Sequence, residues 1–504
     1  MDVDVQTTAK EHGKLQQTLW EFAQSQTSTV LPTSSSLARA RESLPKSLDS
    51  NGIGYDAARR HILEDLVPAF NNSSISPLYY GFVTGGVTPA ALFADGIVSA
   101  YDQNVQVHLT EHTVATDVEF TTLGLLVDLL QLDREWHNGT FTTGATASNI
   151  LGMACGREYV LRAALRRKGI ASTMSVGESG LFETMLAAGL SGIQVLSTMP
   201  HSSLVKAAGV LGIGRANVKD VSLNGDPLQF DFELVRSELQ KTDTATIVAV
   251  SCGEVNTGWF ATGGLNDMQQ LRELCDEYGA WLHVDGAFGI FSRILPDTPE
   301  YSVIKKGCEG IELADSIAGD GHKMLNVPYD CGFFLSRHQG EAMNVFQNAN
   351  AAYLTGGSSK SQSIPSPLNI GLENSRRFRA LPVYASLVAY GSKGYQAIVQ
   401  EQIRLARMIA DWLYDHPKYI VLPNVGSKQE LLDKTYMVVL LSAKDDEVNR
   451  QLAAKIDETL KIYVSGTSWQ GRPACRIAIS NWRVQADRDF AVVKEVLDDV
   501  AGKV

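Results

Sequence analysis

The sequence predicts an α/β protein: a large, mainly parallel sheet covered by helices, followed by a smaller C-terminal α/β unit. Three observations predict it. Between residues 76 and 385, short β-branched runs alternate with longer helical patterns, as in TATIVAVS, DMQQLRELCDEYGA, WLHVDGAF and CGFFLSR. That alternation marks βαβ units, whose crossovers lay helices over parallel strands. Beyond residue 385 the rhythm changes: a long amphipathic pattern, GYQAIVQEQIRLARMIADWLYDHP, precedes the apolar runs YMVVLLSA and CRIAIS and a terminal helix. At 504 residues, finally, the chain is too long for one small core.

Taken in order, residues 1–75 read as a helical arm, with YDAARRHILEDLVPAF running into the turn-prone NNSSISP. Residues 76–385 form the expected large domain and 386–504 the small one. Inside the large domain, GTFTTGATASNILGMACGREYVLRAAL is a turn feeding a helix whose apolar face carries Ile150, Met153, Ala154, Val160, Leu161 and Ala164. STMPHSSLVKAAG sets His201 between a strand and a helix, and WLHVDGAFG delivers Asp285 at the C-terminal end of an apolar strand. SIAGDGHKMLNVPYDCGFFLSR holds Lys323 between a glycine-containing turn and a short loop leading to another strand. The most loop-like segment is GSSKSQSIPSP. LGIGRAN lacks the third glycine of a dinucleotide fingerprint and follows no clear strand, so a Rossmann cofactor is rejected.

Composition narrows the function classes. A formal net charge of -12 argues against general affinity for nucleic acid or an anionic membrane. The first twenty residues show no basic segment followed by an apolar one, and no apolar run reaches spanning length, so a cytoplasmic protein is expected. Six cysteines without a CxxC pair suggest neither a metal site nor a disulfide framework.

Four segments carry chemistry. A lysine amine forms an imine with an aldehyde cofactor when its surroundings leave some of it unprotonated, although a lysine alone is normally a solvated surface charge. A strand-end carboxylate such as Asp285 needs a partner once buried. A helix start lined by Gly144, Ala145 and Thr146 offers free N–H groups and the positive end of a dipole to a phosphate, with small residues permitting close approach. His201, at a helix start, would by itself be a cap or a satisfied core group.

The spacing Ser316-Ile317, five residues, Lys323-Met324-Leu325, three residues, Tyr329, one residue, Cys331, two residues, Phe334, two residues, Arg337 resembles the cofactor-attachment signature of the group II amino-acid decarboxylases, which depend on pyridoxal 5′-phosphate (PLP). The resemblance runs from about residue 45 to the C-terminus. It implies fold type I of the PLP enzymes, with a seven-stranded type of sheet and an arm wrapped round a partner subunit in a homodimer. It further implies that Lys323 carries PLP, that Asp285 keeps the pyridine nitrogen protonated, that Ala287 packs on the ring and that His201 stacks on its open face. Ala145 and Thr146 would hold the phosphate, although the family often has Glu where Ala147 stands, and His322 is a cofactor neighbour. Asp320 is expected to stay off the phosphate, since an extra anion would repel it. Phe82 and Thr84 match substrate-pocket positions.

Tyr353 resembles the catalytic-loop tyrosine that returns a proton to Cα. Related enzymes with phenylalanine there tend to be oxygen-consuming aldehyde synthases. The expected reaction is decarboxylation of an L-amino acid, aromatic by first choice, although Leu109 stands where aromatic decarboxylases often carry tryptophan. Glutamate or cysteine sulfinate, an aldehyde synthase, and a non-catalytic binding protein are the alternatives. Acidic substrates would need a basic pocket residue, and none is identifiable in the sequence.

Overall fold

The computed structural model describes residues 29–170, 174–347 and 364–502. The described chain opens with α1 (Ser34–Ser43), whose first turn is capped by Thr33: its Oγ1 accepts the Ser36 N–H at 3.2 Å. The helical pattern of 55–70 forms a run of short helical segments. The chain then docks against its own far end: Val30 N–H donates to Leu460 O at 2.7 Å, Tyr80 N–H to Tyr463 O at 2.9 Å, and Ala478 N–H to Tyr80 O at 3.1 Å. Helices α2 (Pro89–Tyr101) and α3 (Ala115–Leu129) follow.

The main sheet is laid down next. Its elements are β1 (Gly139–Thr142), α4 (Ala145–Arg167), β2 (Gly192–Ser197), α5 (Ser202–Val210) and β3 (Val218–Asp220). A small ribbon, β4 (Ser222–Leu223) with β5 (Asp226–Phe230), interrupts before β6 (Thr244–Ser251), α6 (Leu265–Tyr278), β7 (Trp281–Asp285), β8 (Ser316–Asp320) and β9 (Gly332–Ser336). The order is β1-β9-β8-β7-β6-β2-β3, and every pairing from β8 through β3 is parallel. β9 alone runs against its neighbours. Residues 321–331, joining β8 to β9, are too few for the helical crossover that a parallel pair demands.

The fold class matches the expectation of a mainly parallel seven-stranded sheet with helices over it. Continuous apolar runs explain why: all of β7 and β8, and all but the first residue of β6, are buried, as suits strands covered on both faces. Helix α4 lies close on the sheet because Gly152 and Gly156 lack side chains. A Cβ on the first would come within 2.5 Å of His283 Cε1, and on the second within 2.7 Å of Trp281 Cδ1.

Helix α7 (Ala380–Tyr414) leads to a second sheet built from β10 (Tyr419–Leu422), β11 (Val438–Ala443), α8 (Asp446–Asp457), β12 (Ser465–Trp469) and β13 (Arg472–Ala478), ending in α9 (Ala486–Gly502). This sheet is antiparallel, in the order β10-β11-β13-β12. Val383 to Ile403 of α7 pack in the main core, and Leu405 to Leu413 pack under the second sheet. The expected boundary at 385/386 falls within this helix, just before its break at Gly391 (φ 58°). Arg376, ahead of α7, is fully enclosed: its guanidinium meets Glu119 of α3 at 2.8 and 3.2 Å, and it also donates to Phe141 O of β1 at 2.8 Å. That buried pair, held through both terminal nitrogens of the guanidinium, ties three elements together.

Candidate active site

In an open parallel sheet, functional groups gather beyond the C-terminal ends of the strands. Here five strands end at one cavity of about 250 Å³. β1 leads to Gly144, Ala145 and Thr146, β2 to His201, β6 to Ser251 and Glu254, β7 ends in Asp285, and β8 ends in Asp320, three residues before Lys323.

Asp285 is held by a relay that starts deep in the sheet. Trp281 Nε1 donates to Ser316 Oγ at 3.0 Å, and Ser316 Oγ lies 2.8 Å from His283 Nδ1. His283 Nε2 lies 2.9 Å from Asn149 Oδ1, and Asn149 Nδ2 donates to Asp285 Oδ2 at 2.9 Å. Burial pushes the His283 imidazole down to about 4, so the ring is neutral at pH 7. Hydrogen-bond logic then fixes each proton from the Asn149 end: its Nδ2 donates to Asp285, so its Oδ1 accepts from His283 Nε2, and the neutral ring is left with Nδ1 to accept the Ser316 hydroxyl proton. His283 therefore carries its hydrogen on Nε2, facing the Asn149 carbonyl. Asn149 is left presenting N–H to Asp285, which also accepts the Ala287 N–H at 3.3 Å.

The same Asn149 amide donates to Ser203 Oγ at 3.0 Å, and Ser203 Oγ lies 2.7 Å from His201 Nδ1. His201 is the N-cap of α5 and accepts the Ser203 N–H at 3.2 Å. The capping geometry thus fixes the imidazole at the cavity wall, and desolvation lowers its pKa, opposed by Asp285. Asn149 couples the ring histidine to the strand-end aspartate.

On the other wall, Lys323 Nζ sits 2.9 Å from Asp320 Oδ2 and 5.7 Å from the centre of the Phe288 ring. Asp320 Oδ1 accepts the Ala145 N–H at 2.6 Å. His322 accepts the Cys331 N–H on Nδ1 at 3.3 Å, and burial lowers its pKa, leaving a neutral ring whose Nε2 faces Asp320 Oδ1 at 3.4 Å. Helix α4 has no side-chain cap of its own at Gly144.

The cavity thus brings together Lys323, Asp285, Ala287, His201, His322, Ala145 and Thr146. Phe82 and Thr84 do not line it in the single chain. Phe82 is 63% exposed, its ring 6.3 Å from that of Tyr463, while buried Thr84 turns its Oγ1 back to Gly81 O at 2.9 Å. Tyr353 lies outside the described residues. Asn149, His283 and Ser316 are polar residues within apolar stretches, a signal present in the sequence but unused. So is Arg476 of β13, the basic group not found by sequence reading. It is buried, donates to the carbonyl of cavity-lining Val255 at 2.9 Å, and has no partner for Nε.

An amine, a strand-end carboxylate, a wall imidazole and a helix N-terminus around one cavity match the aldehyde, pyridine nitrogen, ring face and phosphate of PLP. Comparison with known proteins agrees. Residues 60–428 match the model of the pyridoxal-dependent decarboxylase conserved domain. The chain is 27% identical over 332 residues to L-2,4-diaminobutyrate decarboxylase of Acinetobacter baumannii, the match covering 65% of this chain and under two thirds (62%) of that relative. It is 26% identical over 412 residues to tyrosine decarboxylase 2 of Arabidopsis thaliana, covering 80% of this chain and 70% of the relative. In fold it is similar to Oryza sativa TDC, solved with PLP and tryptamine, with a TM-score of 0.82 at 20% identity over 100% of this chain and 99% of that one.

Proposed function

Because the chain belongs to the pyridoxal-dependent decarboxylase family, whose cofactor is PLP and whose members are carboxy-lyases, we propose that it converts an aromatic L-amino acid to the corresponding amine and CO₂. The observation that carries this reading is the convergence of Lys323, Asp285, His201 and the start of α4 on one cavity. When bound, PLP supplies a sink for the electron pair left at Cα as the carboxylate departs.

The chain's own groups do the rest. Lys323 supplies the amine that joins the cofactor aldehyde. Asp285, oriented by Asn149 and the Ala287 N–H, would hold the pyridine nitrogen's proton. His201, fixed by Ser203, would pack against the ring, and the N–H groups at Ala145 and Thr146 would hold the phosphate. Met199 and Phe288 line the cavity with apolar surface, which favours loss of a charged carboxylate as neutral CO₂. Tyr353 is assigned the proton returned to Cα, from a homodimer partner.

A second reading, an acidic substrate such as glutamate or cysteine sulfinate, draws on Arg476 behind Val255. The two readings divide cleanly in one experiment. The protein is loaded with PLP and given a panel of L-amino acids, and products are identified by mass spectrometry. Stoichiometric aromatic amine and CO₂ support the first reading, and an amine from an acidic substrate, lost in Arg476→Leu, supports the second. Aldehyde with ammonia and peroxide would indicate an aldehyde synthase. Lys323→Ala should abolish turnover and the borohydride-trapped adduct together, and retention of either would refute the assignment of the amine.

A further inference from the structure

Asp320 already holds two of the groups the cofactor requires. It lies in β8, only 4% of its side chain exposed, and grips the first N–H of α4 with one oxygen and the Lys323 ammonium with the other, at 2.6 and 2.9 Å. The opening of α4 has unsatisfied N–H donors, as every helix does, and Gly144 provides no cap. A carboxylate brought from 175 residues away fills the role. The fit is close: a Cβ at Gly144, whose φ is 157°, would stand 3.3 Å from Asp320 Oδ1 and 3.2 Å from His322 Cε1.

We propose that Asp320 is a resident anion that competes with the cofactor's phosphate for the N-terminus of α4 and with its aldehyde for Lys323, and so sets how tightly the cofactor binds. The inference rests on the PLP site proposed above. A phosphate oxygen and the Asp320 carboxylate seek the same N–H, and two anions cannot share it without repulsion that a buried setting does little to screen. Lys323 must also give up its ion pair before its amine is free to attack an aldehyde, since an ammonium has no lone pair to offer. Loading the enzyme therefore requires the Asp320 side chain to release both groups.

The test uses Asp320→Asn, with Asp320→Ser as a second variant in case the amide disturbs folding. Cofactor-free wild type and variants are titrated with PLP and, separately, with pyridoxal, which has no phosphate. Binding is followed by equilibrium dialysis and by the thermal midpoint of the unloaded protein. The variants should lose midpoint when unloaded, because a buried ion pair and a helix cap are gone. Nevertheless they should bind PLP about tenfold more tightly than wild type, with a smaller gain for pyridoxal. A purely structural role would move midpoint and PLP affinity downward together. Unchanged or weaker PLP binding in the variants would overturn the proposal, as would an equal gain for pyridoxal. Failure of the wild type to bind PLP at all would instead refute the cofactor site on which it rests.

Discussion

The neutral state of His283 makes the stability of the fold depend on pH in a way that can be worked out in advance. In the unfolded chain this histidine titrates near 6.5, whereas burial holds the folded ring at about 4. Above 6.5 both states are neutral and the residue contributes no pH dependence. As pH falls from 6.5 to 4, the unfolded chain takes up a proton that the folded chain refuses, so stability drops by ~1.4 kcal/mol per pH unit. Across that window the loss comes to roughly 3 kcal/mol, and below pH 4 it is complete. His283→Gln removes the titrating group while keeping an amide that can donate to Asn149 Oδ1. The assay is the urea midpoint of the cofactor-free protein at intervals from pH 4 to 7.5, wild type against variant. His201 and His322 titrate in both proteins and cancel in the difference. The variant should be less stable at pH 7 but show a shallower acid limb, by about one proton. Parallel limbs would mean that His283 is not the neutral centre of the relay, and the proton assignments from Trp281 to Asp285 would fall with it.

Asn149→Leu removes the amide that orients Asp285 and reaches Ser203, losing a hydrogen bond to a carboxylate worth ~1.5–3 kcal/mol. PLP affinity measured by equilibrium dialysis should fall by about tenfold or more. An unchanged affinity would show that Asp285 needs no second group to hold it. Gly85→Ala tests how closely Lys323 is held from behind, because the added Cβ would lie 2.1 Å from the Lys323 carbonyl oxygen. Overpacking of this kind costs ~1–3 kcal/mol, and displacement of the reacting amine should cut kcat by at least about tenfold in protein that still folds. Normal turnover with a normal cofactor absorbance band would refute the close packing.

Much of this site was legible because its groups stand where apolar runs stop. Asp285 closes WLHVD, Lys323 follows SIAGD by three residues, and His201 sits between the end of β2 and the start of α5. The parallel sheet could be read from the alternation of runs. The reversed direction of β9 could also have been read, since residues 321–331 leave no room for a crossover. What stayed hidden depends on contacts between distant segments. Asn149 lies inside an amphipathic helix and His283 inside a strand, and their shared hydrogen bond exists only because Gly152 lets α4 settle on β7. Arg476 comes from β13, more than two hundred residues beyond the Val255 carbonyl it holds, so no local pattern connects them. The boundary near 385 was set by a change of rhythm. The helix there packs its first half in one core and its second half in another, a division that its own periodicity does not show.

Asp320 shows how one electrostatic argument supports two apparently opposed statements. From the sequence alone, a carboxylate three residues before Lys323 is expected to avoid a phosphate, because like charges repel. In the folded chain the same carboxylate sits on the N–H that a phosphate would want. Both follow from the field at the start of α4, which attracts whichever anion can reach it. Without the cofactor the nearest anion is the protein's own, and it is satisfied further by the Lys323 ammonium at 2.9 Å. With the cofactor bound as proposed, the phosphate's larger charge would compete for that field and Lys323 would be taken into a covalent bond, so Asp320 would lose both partners at once. Occupancy by the side chain and exclusion by the phosphate are therefore two states of one equilibrium, and the relative affinity of wild type and Asp320→Asn for PLP measures where it lies.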